Sequence, residues 1–308
     1  MREWIRKNVI TPLASTNKIR LILLVILAIC FAYYMVELFD REEGFEKLGR
    51  PEPGDWCYTH KESKQSFWGY VASKPNRPVE GKRTLYFQPV GPFNQHEDMV
   101  MKKAVTFAGL YFQLPTRIDK SLPLPEKGWS RQGEAGGRKW IQYKTAYFLN
   151  ELLPKQIPED AYAYLAITMA DLYPDETWNY VFGQASLHRR VGVFSLSRYF
   201  PEFDGQKSTT KTEQRALLRT MQVITHELGH MFGISHCQKW KCNMNGSNSL
   251  IEADETPLFL CPDCLKKLQW NIGFDTITRY EMIEKFLREE KFVEEADCFK
   301  MRIKRLRQ

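Results

Sequence analysis

The chain has 308 residues, of which 43% are hydrophobic and 26% charged, so it can form one large domain or two small ones of ordinary globular composition. Its formal net charge of +7 is carried by its ends, because residues 1–20 contribute +4 and residues 298–308 contribute +5, which leaves −2 for the body between them. A body this close to neutral argues against a nucleic-acid partner, which requires a basic face on the folded domain.

Residues 21–36 (LILLVILAICFAYYMV) form an uncharged, mostly apolar run of sixteen residues. Together with its flanks, this run predicts a transmembrane anchor at 21–38 that follows a basic segment at 1–20. Basic residues before the run and acidic residues after it place the N-terminus in the cytoplasm and the body of the protein on the exoplasmic side. Two alternatives remain: a signal peptide, whose cleavage would give a secreted protein, and a buried core helix.

Residues 39–83 are polar and contain four prolines, which indicates a linker and an irregular N-terminal extension. The elements predicted after it are strands at 84–90, 110–118, 161–170 and 191–196, helices at 94–110 and 143–153, and a loop at 120–139. This alternation of strands and helices predicts an α/β fold. The strand at 191–196 is either an exposed edge that pairs with an extended peptide or an ordinary edge strand.

A long helix is predicted from a cap at Thr209 or Thr210 to Phe232. Its apolar positions repeat at intervals of three and four residues and form one buried stripe: Leu217, Met221, Ile224 and Leu228. His226 and His230 are four residues apart, so they share one face of the helix, and that face points away from the buried stripe. These two histidines are therefore expected to face a cleft.

Gly233 follows the helix and can adopt the conformation that reverses the chain, which brings His236 toward the other two histidines. Three neutral imidazoles leave one position of a zinc ion open for water, which is typical of a catalytic site. Glu227 lies beside the first histidine and is the expected general base, accepting a proton from the zinc-activated water. The alternatives are histidines that merely cover a helix surface, and a zinc site that binds without catalysing.

Four cysteines follow the last histidine in two close pairs, C-x4-C and C-x2-C: Cys237, Cys242, Cys261 and Cys264. This spacing predicts a closed four-thiolate zinc site with a structural role, so that each chain holds two zinc ions. The alternative is two disulfides, which an exoplasmic domain permits. Because His236 and Cys237 are adjacent, loss of the metal from the cysteine site is expected to disturb the histidine site. The remaining cysteines, Cys30, Cys57 and Cys298, are interpreted as unpaired and non-catalytic.

The pattern H-E-x-x-H-x-x-G-x-x-H, followed by Met244, resembles the metzincin zinc peptidases. The cysteine pairs resemble the archaemetzincin family, and so do five further stretches: PEPGDW at 51–56, ITMADLYPD at 167–175, WNYVFGQA at 178–185, VGVFSLSRYF at 191–200 and CLKKLQWNIGFD at 264–275. This resemblance implies a compact α/β peptidase domain with a mixed sheet, an active-site helix and a small C-terminal subdomain that carries the cysteine zinc site.

The same resemblance implies a role for each residue of the site. It assigns the catalytic zinc to His226, His230 and His236, the general base to Glu227, and the structural zinc to the four cysteines. Met244 would be a hydrophobic support for the zinc site, not a ligand.

A helix capped at Asp275 or Thr276 is predicted to end near residue 291, and the basic residues 292–308 predict a solvated tail or, as the alternative, contact with an acidic membrane surface. The zinc metallopeptidase domain is thus expected at 84–291. The leading hypothesis is a membrane-anchored zinc metallopeptidase that hydrolyses peptide bonds in peptide or protein substrates. The alternative is a non-catalytic, zinc-stabilised protein that binds extended peptides. The two differ in whether Glu227 supports cleavage.

Overall fold

The computed structural model describes residues 23–25, 44–126, 128–186 and 188–308. The chain divides into two units, residues 1–46 and 47–308. In the first unit, residues 23–25 are helical. The rest of the transmembrane helix predicted at 21–38 lies outside the described residues. Among the residues that are described, no helix has the length and apolarity needed to cross a membrane.

The second unit alternates helices with strands, which confirms the predicted α/β class. Its strands are β1 (Thr84–Val90), β2 (Thr116–Ile118), β3 (Ser130–Ala135), β4 (Arg138–Lys144), β5 (Ala161–Thr168), β6 (Asp171–Tyr173), β7 (Gly183–Ser186) and β8 (Val191–Ser195). Its α-helices are α1 (Trp56–Thr59), α2 (Phe67–Ala72), α3 (Gln95–Phe112), α4 (Thr210–Met231), α5 (Leu250–Asp254), α6 (Pro262–Ile272), α7 (Thr276–Glu289) and α8 (Val293–Leu306). A π-helical turn at Tyr147–Leu152 and short 3-10 turns complete it.

The main sheet has five strands in the order β2-β1-β5-β8-β7. Its first four strands are parallel, and β7 pairs antiparallel with β8. Strands β1, β5 and β8 are buried along their whole length, as expected for the near-continuous apolar runs of central parallel strands. A second sheet, in the order β3-β4-β6, has three strands.

The interpretation of residues 191–196 as an edge strand is wrong. This segment forms β8, which lies between β5 and β7, and the edge position belongs to β7. The four residues of β7 (GQAS) show neither β-branched side chains nor apolar alternation, so they gave no strand signal.

The predicted loop at 120–139 also differs, because it contains β3 and runs into the hairpin partner β4. Gly136 and Gly137, both at positive φ, form the two-residue turn of this hairpin. The strands were missed because their side chains are mostly polar. The strand predicted at 110–118 is shorter than expected. It forms only at Thr116–Ile118 (β2), because α3 continues to Phe112.

The two longest helices form at the positions predicted from the sequence. Asn94 caps α3 in a reciprocal capping box with Glu97, and Thr209 caps α4. The helices α3 and α4 pack against each other, and α4 also packs against β7 and β8. The carboxyl-terminal half of α4 is thereby fixed beside the edge of the main sheet.

Both ends of the expected peptidase domain extend further than predicted, since the second unit has no boundary at 83 or 291. Residues 47–83 belong to it and are not a linker. The solvated tail predicted at 292–308 is also wrong, because α8 packs on α7. Ala296 and Phe299 are buried, and the guanidinium of Arg302 lies 3.6 Å from the centre of the Phe259 ring. The basic side chains therefore share a helix with an apolar face.

Candidate active site

Helix α4 places two histidines on its exposed side. Ile224 and Leu228 of the predicted stripe are fully buried, whereas His226 and His230 are partly exposed and line a cleft. The Nε2 atoms of the two histidines are 3.0 Å apart. The helical spacing of four residues thus brings two imidazole nitrogens to one point.

The chain reverses directly after α4 at Gly233, whose φ is +80°. The backbone N–H of Gly233 donates to the His230 carbonyl at 2.7 Å, and that of Ile234 donates to the Gly229 carbonyl at 3.1 Å. A side chain at 233 would also lack space, because a Cβ would lie 2.7 Å from the Cβ of Pro75. The reversal sets the Nε2 atom of His236 3.2 Å from that of His230.

The other nitrogen of each imidazole has a hydrogen-bond acceptor. The Nδ1 atoms of His226 and His230 lie 2.8 and 2.7 Å from the carbonyls of Asn243 and Ile234, and that of His236 lies 2.8 and 3.0 Å from the two carboxylate oxygens of Glu62. Since a carbonyl or carboxylate only accepts, each Nδ1–H donates, and each Nε2 presents its lone pair to the shared point.

Three such lone pairs repel one another unless a cation lies between them, so the donor set fits a zinc ion with an open coordination position. Burial lowers the pKa of His226 well below its ordinary value and that of His230 to about 4. Both imidazoles are therefore held in the neutral form that binds metal.

Glu227 lines the same cleft as the histidines. Burial raises the pKa of its carboxyl group to about 7. Within the part of the chain that the structure describes, no group donates a hydrogen bond to this side chain. The carboxyl group is thus available to a molecule in the cleft.

Met244 lies beneath the active-site helix. It is fully buried, and a Cβ on Gly229 would overlap its Sδ atom and lie 3.0 Å from its Cε. Its carbonyl accepts a hydrogen bond of 2.7 Å from the Cys237 backbone N–H. Met244 therefore fills the space between α4 and the loop that carries His236.

The four predicted cysteines converge on a second point. Their Sγ atoms all lie within 4.8 Å of one another, and all four residues are buried. The Sγ atoms of Cys237 and Cys261 are 3.7 Å apart, well beyond a disulfide bond, and the cysteines of the described residues are free thiols. Cys261 caps α6 and Cys264 lies in its first turn.

This arrangement also fits a metal. Burial raises the pKa of the Cys242 thiol, and hydrogen bonds from the other thiols lower that of Cys237. Four buried thiolates require a cation to compensate their charge, and a tetrahedral thiolate set with no open position is typical of a structural zinc site.

One segment links the two clusters. Asn243, which follows Cys242 and precedes Met244, gives its carbonyl to His226. Its side-chain amide donates to Thr225 Oγ1 at 2.8 Å. The loop between the two pairs of cysteines therefore also orients His226.

The cleft in front of the histidines has a volume of about 670 Å³. Gly183 and Gln184 of β7 line one part of it, and Leu250 and Ala253 of α5 line another. Trp56 of the N-terminal extension also faces the cleft. A cleft of this volume lies within the usual range of ligand-binding sites.

Two neighbours of the site, Trp56 and Glu62, were not predicted from the sequence. Trp56 lies in the PEPGDW stretch, which contributed only to the resemblance, and Glu62 follows in a polar run without ligand spacing. Asp171, within the ITMADLYPD stretch, lies outside the histidine cluster, and Arg198 donates to both of its carboxylate oxygens at 2.7 Å.

The chain is similar to known zinc peptidases. The family described as Peptidase family M54 matches residues 157–270. Archaemetzincin-2 of Pongo abelii is 36% identical over 266 residues, covering 77% of this chain and 73% of that protein, and Archaemetzincin-2 of Homo sapiens is 35% identical over the same shares. The crystal structure of archaemetzincin from Methanopyrus kandleri is 26% identical, with a TM-score of 0.50 over 64% of this chain and 99% of its own. The chain therefore belongs to the archaemetzincin family of zinc metallopeptidases.

Proposed function

We propose that the protein hydrolyses peptide bonds in the cleft beside α4, with one zinc ion held by His226, His230 and His236 and with Glu227 as the general base. The observation that carries this proposal is the convergence of three Nε2 atoms, with that of His230 lying 3.0 and 3.2 Å from the other two. They lie beside the Glu227 carboxyl group, to which no group of the described residues donates a hydrogen bond. A merely structural histidine cluster has no need of that carboxyl group.

The zinc ion, when bound, supplies a Lewis acid that polarises a carbonyl and acidifies water. The carboxylate of Glu227 accepts a proton from the attacking water and then delivers it to the departing amine.

An extended peptide is the substrate class that the cleft favours. One edge of β7 pairs with β8, and the other pairs with no further strand of the described sheet. Since Gly183 and Gln184 of this strand line the cleft, a peptide that pairs with β7 would lie beside the histidines. The peptide-pairing role that the sequence suggested for 191–196 is therefore proposed for the neighbouring strand.

A second zinc ion is proposed for Cys237, Cys242, Cys261 and Cys264, with a purely structural role. Its support is the convergence of four buried thiols that form no disulfide. This ion would fix the loop between α4 and α6, and with it the third histidine and Met244.

Residues 21–38 are proposed as a single-pass anchor that leaves the peptidase domain on the exoplasmic side. The support is the uncharged run at 21–36 with its basic and acidic flanks. An anchored protein should stay in membranes after alkaline carbonate washing, and its domain should be digested by protease added from the exoplasmic side. Release of a shortened protein without detergent would instead favour a cleaved signal peptide.

The catalytic proposal is tested with a peptide library and the full-length chain in detergent. The wild-type protein should cleave members of the library, and Glu227→Gln should lower kcat by about 10²–10⁴-fold, the usual contribution of a general base. Glu202→Gln, which changes an exposed carboxyl group outside the cleft, is the matched control. A wild-type protein that retains its zinc and binds peptides without cleaving any would support the peptide-binding alternative instead.

A further inference from the structure

The third histidine differs from the other two in how its orientation is fixed. His226 and His230 lie on α4 and donate to backbone carbonyls. His236 lies on the loop after the helix. Its acceptor among the described residues is a side chain, because its Nδ1–H donates to the carboxylate of Glu62. Its orientation therefore depends on a residue 174 positions earlier in the chain.

Glu62 is itself held in place on two sides. Trp56 Nε1 donates to its Oε1 at 3.3 Å, and Gln238 Nε2 donates to its backbone carbonyl at 3.0 Å. The side chain of Glu62 is 33% exposed and that of His236 is 17% exposed. The pair thus lies at the mouth of the site, where the surrounding protein excludes much of the water but not all of it.

Trp56 also packs on the histidine directly. Its ring meets that of His236 edge-on, with 4.9 Å between the ring centres, and stacks on that of His60 at 3.7 Å. It also packs against Gly246, where no side chain would fit. The backbone N–H of Trp56 donates to Glu252 Oε1 at 2.7 Å, which ties α1 to α5. The indole therefore limits the rotation of the His236 ring.

Gln65 fastens the extension to the turn before His236. Its amide nitrogen donates to the Gly233 carbonyl at 2.8 Å, and its amide oxygen accepts from the Ser235 backbone N–H at 3.2 Å. Lys267 Nζ donates to the backbone carbonyl of Gln65 at 2.7 Å. The segment from Trp56 to Gln65 therefore contacts the turn after α4 at Gly233, Ser235 and His236.

We propose that Glu62 is a positioning residue for the zinc ligand His236, and that the N-terminal extension is by this contact part of the active site. A carboxylate that accepts from Nδ1–H fixes the tautomer and the ring plane, and so directs the Nε2 lone pair at the metal. This inference rests on the proposed zinc site at the three histidines. The match to peptidase family M54 begins at residue 157, so it does not include Glu62.

The test measures zinc affinity in the full-length chain, by competition with a chromophoric chelator, for wild type, Glu62→Ala and Glu62→Gln. Glu62→Ala should weaken the histidine zinc about 10–100-fold, which is the usual effect of removing such a partner. Glu62→Gln keeps an oxygen acceptor but loses the charge, so its affinity should lie between the other two. Glu80→Gln, an exposed carboxyl group of the same extension, should match wild type.

Two further readouts separate positioning from general stability. The zinc of the four cysteines is an internal reference and should bind each variant as it binds wild type. Cobalt substituted at the histidine site should show an altered visible absorption spectrum in Glu62→Ala, because the ligand geometry changes. A melting temperature of Glu62→Gln close to that of wild type would show that the variant is folded.

Histidine-zinc affinities of Glu62→Ala and Glu62→Gln that both lie within about twofold of wild type would overturn the role of Glu62, since the usual effect is far larger. An equal loss of both zinc ions would also overturn it, because that result indicates a general structural defect. A wild-type chain that binds no zinc at the histidines would instead refute the proposed function itself.

Discussion

The two metal-binding clusters lie within one stretch of chain, yet they differ in the type, the number and the exposure of their ligands. The histidine cluster offers three imidazole ligands, lines a cleft and has Glu227 beside it. The cysteine cluster offers four ligands that are between 0% and 7% exposed. Exposure and ligand number together therefore distinguish a site built for reaction from one built for stability.

The clusters differ also in what holds their ligands. Cys261 and Cys264 are fixed by the start of α6, and the other two cysteines flank a short loop. Two of the histidines are fixed by α4, but His236 depends on the turn at Gly233 and on the distant extension. We therefore expect changes in the cysteine cluster to affect folding and changes in the histidine cluster to affect metal binding and activity.

The largest expected effect is that of Cys261→Ser. It removes a ligand from a buried set, so the structural zinc should be lost and the free energy of unfolding should fall by more than about 4 kcal/mol. Thermal melting and solubility measure this loss, with Cys298→Ser as the control outside both clusters. A soluble Cys261→Ser protein with the melting temperature of wild type would show that the cysteines are not a stabilising centre.

A chelator should separate the two centres in the unmodified protein. A zinc ion at the histidines would face the cleft and have three protein ligands, so limiting chelator should remove it first and abolish cleavage while the melting temperature changes little. Added zinc should restore cleavage. Loss of cleavage and of the folded state at the same chelator concentration would contradict this order.

A smaller effect is expected for Gly229→Ala, which concerns the packing between the centres. The added Cβ would overlap Met244 Sδ, so the free energy of unfolding should fall by about 1–3 kcal/mol through overpacking. Gly49→Ala, where a Cβ meets no atom within 4 Å, is the control. Equal free energies of unfolding for the two variants, measured with denaturant, would show that the Met244 side chain can move aside without destabilising the protein.

The convergence of the three histidines could be predicted from the sequence because their spacing is local. His226 and His230 are related by helical geometry, and Gly233 permits the reversal that brings in His236. The contact of Glu62 with His236 could not be predicted in this way, because it joins residues 174 positions apart and follows no periodic pattern.

The same contrast holds for the fold. The central strand β1 was predicted from its aromatic and β-branched residues and β5 from a mostly apolar run, whereas the edge strand β7 and the polar hairpin of β3 and β4 carry no such signal. Their pairing partners decide their conformation. In α8, alternating basic residues concealed the apolar pair Ala296 and Phe299, which are spaced three apart as on a helix.

The most direct test of the account is the zinc content per folded chain, measured by native mass spectrometry of wild type and His230→Ala. We predict two zinc ions in the wild-type protein, and one in a His230→Ala protein that keeps its fold and all four cysteine ligands. A wild-type protein with one zinc ion and four oxidised thiols would contradict the account, and so would a His230→Ala protein that retains both ions.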